Sequence, residues 1–73
     1  MENKKKYVLL LKDLGSRIKL LRLNKGMSQT ELGMKCDMEK AAVSRIEAGM
    51  INTSVATLCR LCEALEITIK ELF

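Results

Sequence analysis

The 73 residues carry 13 Lys and Arg against 9 Asp and Glu, no His and no Pro, and 48% of them are apolar although only Tyr7 and Phe73 are aromatic. A chain of this length makes one domain near the lower limit for an unaided core, which Leu, Ile, Val, Met and Cys must build. The inventory leaves an enzyme without a His, a Gly-rich phosphate loop or a nucleophile beside a base, and three cysteines cannot all pair as a disulfide framework.

Charge is uneven. Residues 1–53 hold eleven basic against six acidic side chains, net +5, and residues 54–73 hold two against three, net −1. A basic body suits a polyanion such as nucleic acid or an anionic membrane surface, and is equally common as a solvated face. The first residues, Met-Glu-Asn-Lys-Lys-Lys, read as a basic arm over 1–7, followed by a single domain over 8–73. The arm could follow a DNA groove or simply aid solubility. The apolar run Tyr7 to Leu11 is too short for a signal peptide, and no stretch reaches membrane-spanning length, so a cytoplasmic protein without a membrane partner is expected.

From about Val8, the recurrence of Leu11, Leu14, Ile18 and Leu21 predicts a first helix, ended by Asn24-Lys25-Gly26. Ser28 followed by Glu31 is a capping box that opens a short second helix ending at Cys36-Asp37. A third helix is predicted from about Lys40 to Ala48, with Val43 and Ile46 inward and Gly49 closing it. Thr53 or Ser54 caps a fourth, whose buried stripe is Leu58, Leu61, Cys62 and Leu65. Thr68 and Glu71 repeat the capping-box spacing and open a last turn that brings Leu72 and Phe73 to the core. The expected fold is all-α, a compact five-helix bundle.

Residues Gln29 to Ala48 carry the functional signal. Leu32, Cys36, Met38, Val43 and Ile46 are spaced to lock two short helices at a steep angle. Gly33 offers the small residue at their crossing, and Asp37 tolerates a left-handed turn. On these residues the chain resembles the Cro/repressor-type, XRE-like helix-turn-helix family, with the lambda-repressor-like fold that this implies. The likeness extends over roughly residues 14–73: Leu14-Gly15 with Arg17-Ile18 and Leu21-Arg22, Gly26-Met27-Ser28-Gln29 with Glu31-Leu32, Ile46-Glu47-Ala48-Gly49, and Ala64-Leu65 with Leu72-Phe73. Departures are Gly33 for the usual Ala, Asp37 for Gly, Glu39 for Ser or Thr before the third helix, and apolar Met50-Ile51 in a loop that is often basic.

The resemblance implies sequence-specific binding of double-stranded DNA at a palindromic operator by a homodimer formed through the C-terminal helices, as a transcriptional repressor. Lys40, Ala41, Ser44 and Arg45 then face base edges: Lys and Arg suit guanine, Ser several bases, and Ala a thymine methyl. Read without the motif, the same positions are an ordinary solvated helix face. Ser28 and Gln29 at the start of the second helix, and Asn52, Thr53 and Ser54 at the start of the fourth, are placed for phosphates, or merely for capping. Arg22 and Glu47 are implied to pair inside the domain. Cys59-x-x-Cys62 lacks the His or fourth Cys of a zinc site, and all three thiols, Cys36, Cys59 and Cys62, are expected as core packing without metal or other cofactor. With no second domain expected, regulation would rest on concentration or partners. The competing reading is a protein-interaction module of antitoxin type, with Met50-Ile51 as its apolar edge.

Overall fold

The computed structural model describes residues 2–50 and 53–73, with side chains from Tyr7 onward. In chain order it has α1 (Glu2–Asn24), α2 (Gln29–Cys36), α3 (Lys40–Glu47), α4 (Val55–Leu65) and a 3-10 turn over Ile69–Leu72. The described residues are therefore all helical, but with four α-helices rather than five. The Thr68 side chain makes no capping bond. The segment closes instead on Glu71 N–H to Thr68 and Phe73 N–H to Lys70, at 3.0 and 3.2 Å, the i to i+3 pattern of a tighter helix.

Helix α1 begins at Glu2, not near Val8, so the backbone of the expected arm is helical from Glu2 onward. Its Lys and Glu residues are good helix formers, and nothing between Glu2 and Asn24 breaks the helix. The helix ends as Gly26 predicts: Gly26 takes φ 69°, Met27 N–H bonds to Arg22 C=O at 3.1 Å and Gly26 N–H to Leu23 C=O at 3.0 Å. The same arrangement closes α3 at Gly49 and, unexpectedly, α4 at Glu66, which sits at φ 57° without glycine's freedom.

At the start of α2 the capping box is complete. Ser28 Oγ accepts from Glu31 N–H at 3.0 Å while Glu31 Oε1 accepts from Ser28 N–H at 3.1 Å. Ser54 rather than Thr53 caps α4, its Oγ accepting from Thr57 N–H at 3.1 Å. Glu39, at the N-cap of α3, makes no side-chain cap bond.

The core is Ile18 of α1, Leu32 and Cys36 of α2, Val43 and Ile46 of α3, Leu58, Leu61, Cys62 and Leu65 of α4, and Leu72. Two expected core residues lie outside it. Phe73 is 73% exposed, because the 3-10 turn commits only Leu72 inward. Cys59 is exposed, one residue and about 100° past Leu58 and hence off the α4 stripe. Cys36 and Cys62 are buried, and desolvation raises both thiols above their ordinary range, while Cys36 Sγ lies 3.6 Å from Arg60 C=O.

The α2–α3 turn is built on Asp37, at φ 58° and ψ 44°. Met38 N–H bonds to Gly33 C=O at 2.8 Å. A side chain at Gly33 would point at this turn, its Cβ only 2.5 Å from Met38 O, so alanine does not fit here despite its helix propensity. A left-handed residue with a Cβ is strained, so Asp37→Gly should be neutral or stabilising by up to about 1 kcal/mol, read as an unchanged or higher Tm. A clear fall in Tm would show that the Asp37 side chain stabilises the turn.

Candidate nucleic-acid interface

The turn at Asp37 sends α3 across α2 so that Val43 and Ile46 seal the core while the opposite face stays in solvent. On that outer face Lys40, Ala41, Ser44, Arg45 and Ala48 are all exposed. Among the described residues Lys40, Ser44 and Arg45 enter no ion pair or side-chain hydrogen bond within the chain. Two cations and a hydroxyl thus stand free on one side of an eight-residue helix, the donor and acceptor types that suit base edges.

Behind this face lies a buried polar cluster. Arg22 Nε donates to Glu47 Oε2 at 2.6 Å and Nη2 to Oε1 at 3.0 Å, a two-pronged pair between α1 and the last turn of α3. Arg22 Nη1 donates to Met27 C=O at 2.8 Å, and Gln29 Nε2 to Glu47 Oε1 at 3.1 Å. Arg22 is 6% and Glu47 7% exposed, and among the described residues no buried side-chain N or O is left unpartnered. The hydrogen bonds that Arg22 donates to the Glu47 carboxylate hold the guanidinium pKa above its ordinary value, against the opposing effect of burial. The cluster ties α1, the start of α2 and the end of α3 into one unit.

The residues expected to meet phosphates divide. Ser28 and Ser54 are exposed and occupied as caps, and Thr53 is half-buried. Gln29 is half-buried with its amide on Glu47, a contact that no local sequence rule predicts. Asn52 and Ile51 lie outside the described residues. Met50 is 73% exposed beside them.

Gly15 was legible only as part of a pattern; its role is steric. A Cβ there would stand 2.5 Å from Glu47 O and closer still to Ile46 O, so α1 rests directly on the last carbonyls of α3. The signal available in the sequence was a glycine in mid-helix, which costs about 1 kcal/mol and asks for a packing reason.

A helix-turn-helix family model, HTH_3, matches residues 18–72. Control protein C.BamHI of Bacillus amyloliquefaciens is 34% identical over 59 residues, covering 80% of this chain and 73% of that protein. Antitoxin HipB of Escherichia coli O6:H1 is 33% identical over 55 residues, 75% of this chain, which spans 58% of HipB. The restriction-modification controller protein C.AhdI from Aeromonas hydrophila superposes with a TM-score of 0.84 at 35% identity, over 86% of this chain and 96% of that one.

Proposed function

The chain belongs to the HTH_3 helix-turn-helix family, and from that membership we propose that it is a sequence-specific DNA-binding transcriptional regulator, a repressor, acting as a dimer. The observation that carries this reading is the outer face of α3, where Lys40, Ser44 and Arg45 are exposed and unengaged on a helix whose other face is locked into the core. In the major groove these side chains, with Ala41, read base edges. Phosphates are met by the amide ends of α2 and α4, with Ser28, Gln29, Thr53 and Ser54 around them, and Asn52, outside the described residues, is assigned the same role from the sequence. The buried cluster of Arg22, Glu47 and Gln29 holds the phosphate-facing start of α2 and the reading helix in fixed relation.

Two-fold symmetry places two copies of α3 about one helical turn apart on one side of the duplex, so the operator is an inverted repeat. Arg45→Ala should cost about 1–3 kcal/mol of binding and relax preference at one base pair per half-site. Ser54→Ala should weaken all sequences nearly equally. Competition gel shifts against selected and random duplexes, at two salt concentrations, measure both. Equal binding of selected and random DNA, or an Arg45→Ala variant with unchanged affinity and preference, would remove α3 as the reading helix.

The antitoxin relative supports a second reading, in which a protein partner is bound and DNA binding is secondary. Exposed Met34 and Met50 offer adaptable apolar contacts for it. Salt separates the two, because phosphate contacts weaken steeply with ionic strength and an apolar protein interface does not.

A further inference from the structure

We propose that Glu39 is a specificity-determining residue, its carboxylate accepting a hydrogen bond from the exocyclic N4 amino group of a cytosine in the major groove. The inference rests on α3 being the reading helix. It adds a side chain of opposite charge to the face that carries Lys40, Ser44 and Arg45.

Of the N-caps of α2, α3 and α4, only that of α3 leaves its side chain unused. Ser28 Oγ and Ser54 Oγ each accept a backbone N–H of their own helix. Glu39 holds the same backbone position, at φ −78° and ψ 155°, but its side chain makes no cap bond. Its C=O accepts from Ala42 and Val43 N–H at 3.0 and 3.2 Å, so the first turn of α3 fixes the residue by its backbone. The side chain is exposed and enters no ion pair among the described residues. Beside it a shallow depression is lined by Met34, Asp37 and Met38, none of them a cation. The helix dipole favours a carboxylate at this end, which explains why Glu is tolerated here but asks nothing of a base.

The chemistry of the duplex narrows what this carboxylate can meet. The N-terminal residues of a reading helix lie against base edges. A carboxylate only accepts hydrogen bonds, and phosphates offer it none. On the major-groove edge the only donors are the amino groups of adenine N6 and cytosine N4. Adenine sets the acceptor N7 beside N6, an arrangement that suits an amide and repels an anion. Cytosine sets no acceptor of its own beside N4. Lys40, the next residue, only donates, which suits O6 and N7 of guanine. Glu39 and Lys40 therefore match the two halves of one G·C pair, or of adjoining pairs. On any other sequence the carboxylate faces acceptors alone, so it discriminates by repulsion as well as by attraction.

Competition gel shifts of the full chain test this, using the selected duplex with each half-site position changed in turn to the other three bases. The unmodified chain should prefer cytosine at one position, at or next to the pair that Lys40 contacts, by about 10-fold. Glu39→Gln should move that preference toward adenine, because an amide pairs with N6 and N7, and leave the other positions as they were. Glu39→Ser should abolish preference at that position alone and bind random duplex more tightly. Residue 39 is exposed, so both variants should keep the far-UV circular dichroism of the unmodified chain. If both variants change affinity for every duplex by one factor, with all base preferences kept, Glu39 only repels phosphates and the proposal is overturned. Discrimination by the unmodified chain with no cytosine preference tied to residue 39 would overturn it too, and would leave the DNA reading intact. Equal binding of selected and random duplex by the unmodified chain would sink the DNA reading, and this assignment with it.

Discussion

Glu47→Ala should lower the free energy of unfolding by about 3–5 kcal/mol, and Arg22→Ala by a similar amount. Removing the carboxylate leaves the Arg22 guanidinium, only 6% exposed, with one neutral acceptor at Met27 C=O, and strips Gln29 of its partner. A buried charge without its counterion cannot recover its hydration, whereas removing both charges together avoids that cost. The double variant Arg22→Met/Glu47→Leu should therefore lose much less than the sum of Arg22→Met and Glu47→Leu. Native domains are stable by about 5–15 kcal/mol, and one of this size lies toward the lower end, so either single alanine variant should be substantially unfolded at room temperature. Urea unfolding of the four-member cycle measures the coupling, with exposed Lys19→Ala as a control expected to change stability by less than about 0.5 kcal/mol. Additive single effects would mean that the pair contributes nothing as a pair.

How far such features could be read from the sequence depended on how local they are. The capping box at Ser28 and Glu31 spans three residues and was legible, as was the left-handed turn at Asp37 between two short apolar-patterned helices. The inward face of α3 followed from its 3.6-residue period. Arg22 and Glu47 are 25 positions apart, and only the family resemblance brought them together; the bond from Gln29 to Glu47, across 18 positions, had no signal at all. Glu66 escaped notice because a left-handed helix end is sought at Gly or Asn, and Glu carries no such mark. Cys59 and Phe73 are different cases. Each was assigned to the core for being apolar beside core residues, where helical phase for Cys59 and the tighter 3-10 turn for Phe73 place them outside. The long start of α1 was missed because a lysine run resembles a solvated arm as readily as it does a helix.

Gly15→Ala should destabilise the domain by about 2 kcal/mol or more, even though alanine is the better helix former by about 1 kcal/mol. The site lies in mid-α1 with ordinary helical backbone, so propensity alone predicts a gain. Sterics predict the reverse. The added methyl would stand under 3.0 Å from the Ile46 and Glu47 carbonyl oxygens, which are backbone atoms at the closing turn of α3 and cannot rotate away as a side chain can. To admit it, α1 must back off from α3, and that movement stretches the 2.6 Å bond between Arg22 and Glu47 and loosens Ile18 and Ile46 in the core. Gly26→Ala is the matched comparison. Gly26 has open space around its missing Cβ and a φ of 69°, so alanine there meets only left-handed strain, about 1–2 kcal/mol. Urea unfolding should rank the unmodified chain above Gly26→Ala and Gly26→Ala above Gly15→Ala. Because the contact is with the reading helix, folded Gly15→Ala protein should also discriminate less between selected and random duplexes than Gly26→Ala does. A Gly15→Ala variant as stable as the unmodified chain would mean that α1 and α3 can separate freely, and the close approach of the two backbones would then not be what fixes the angle of α3.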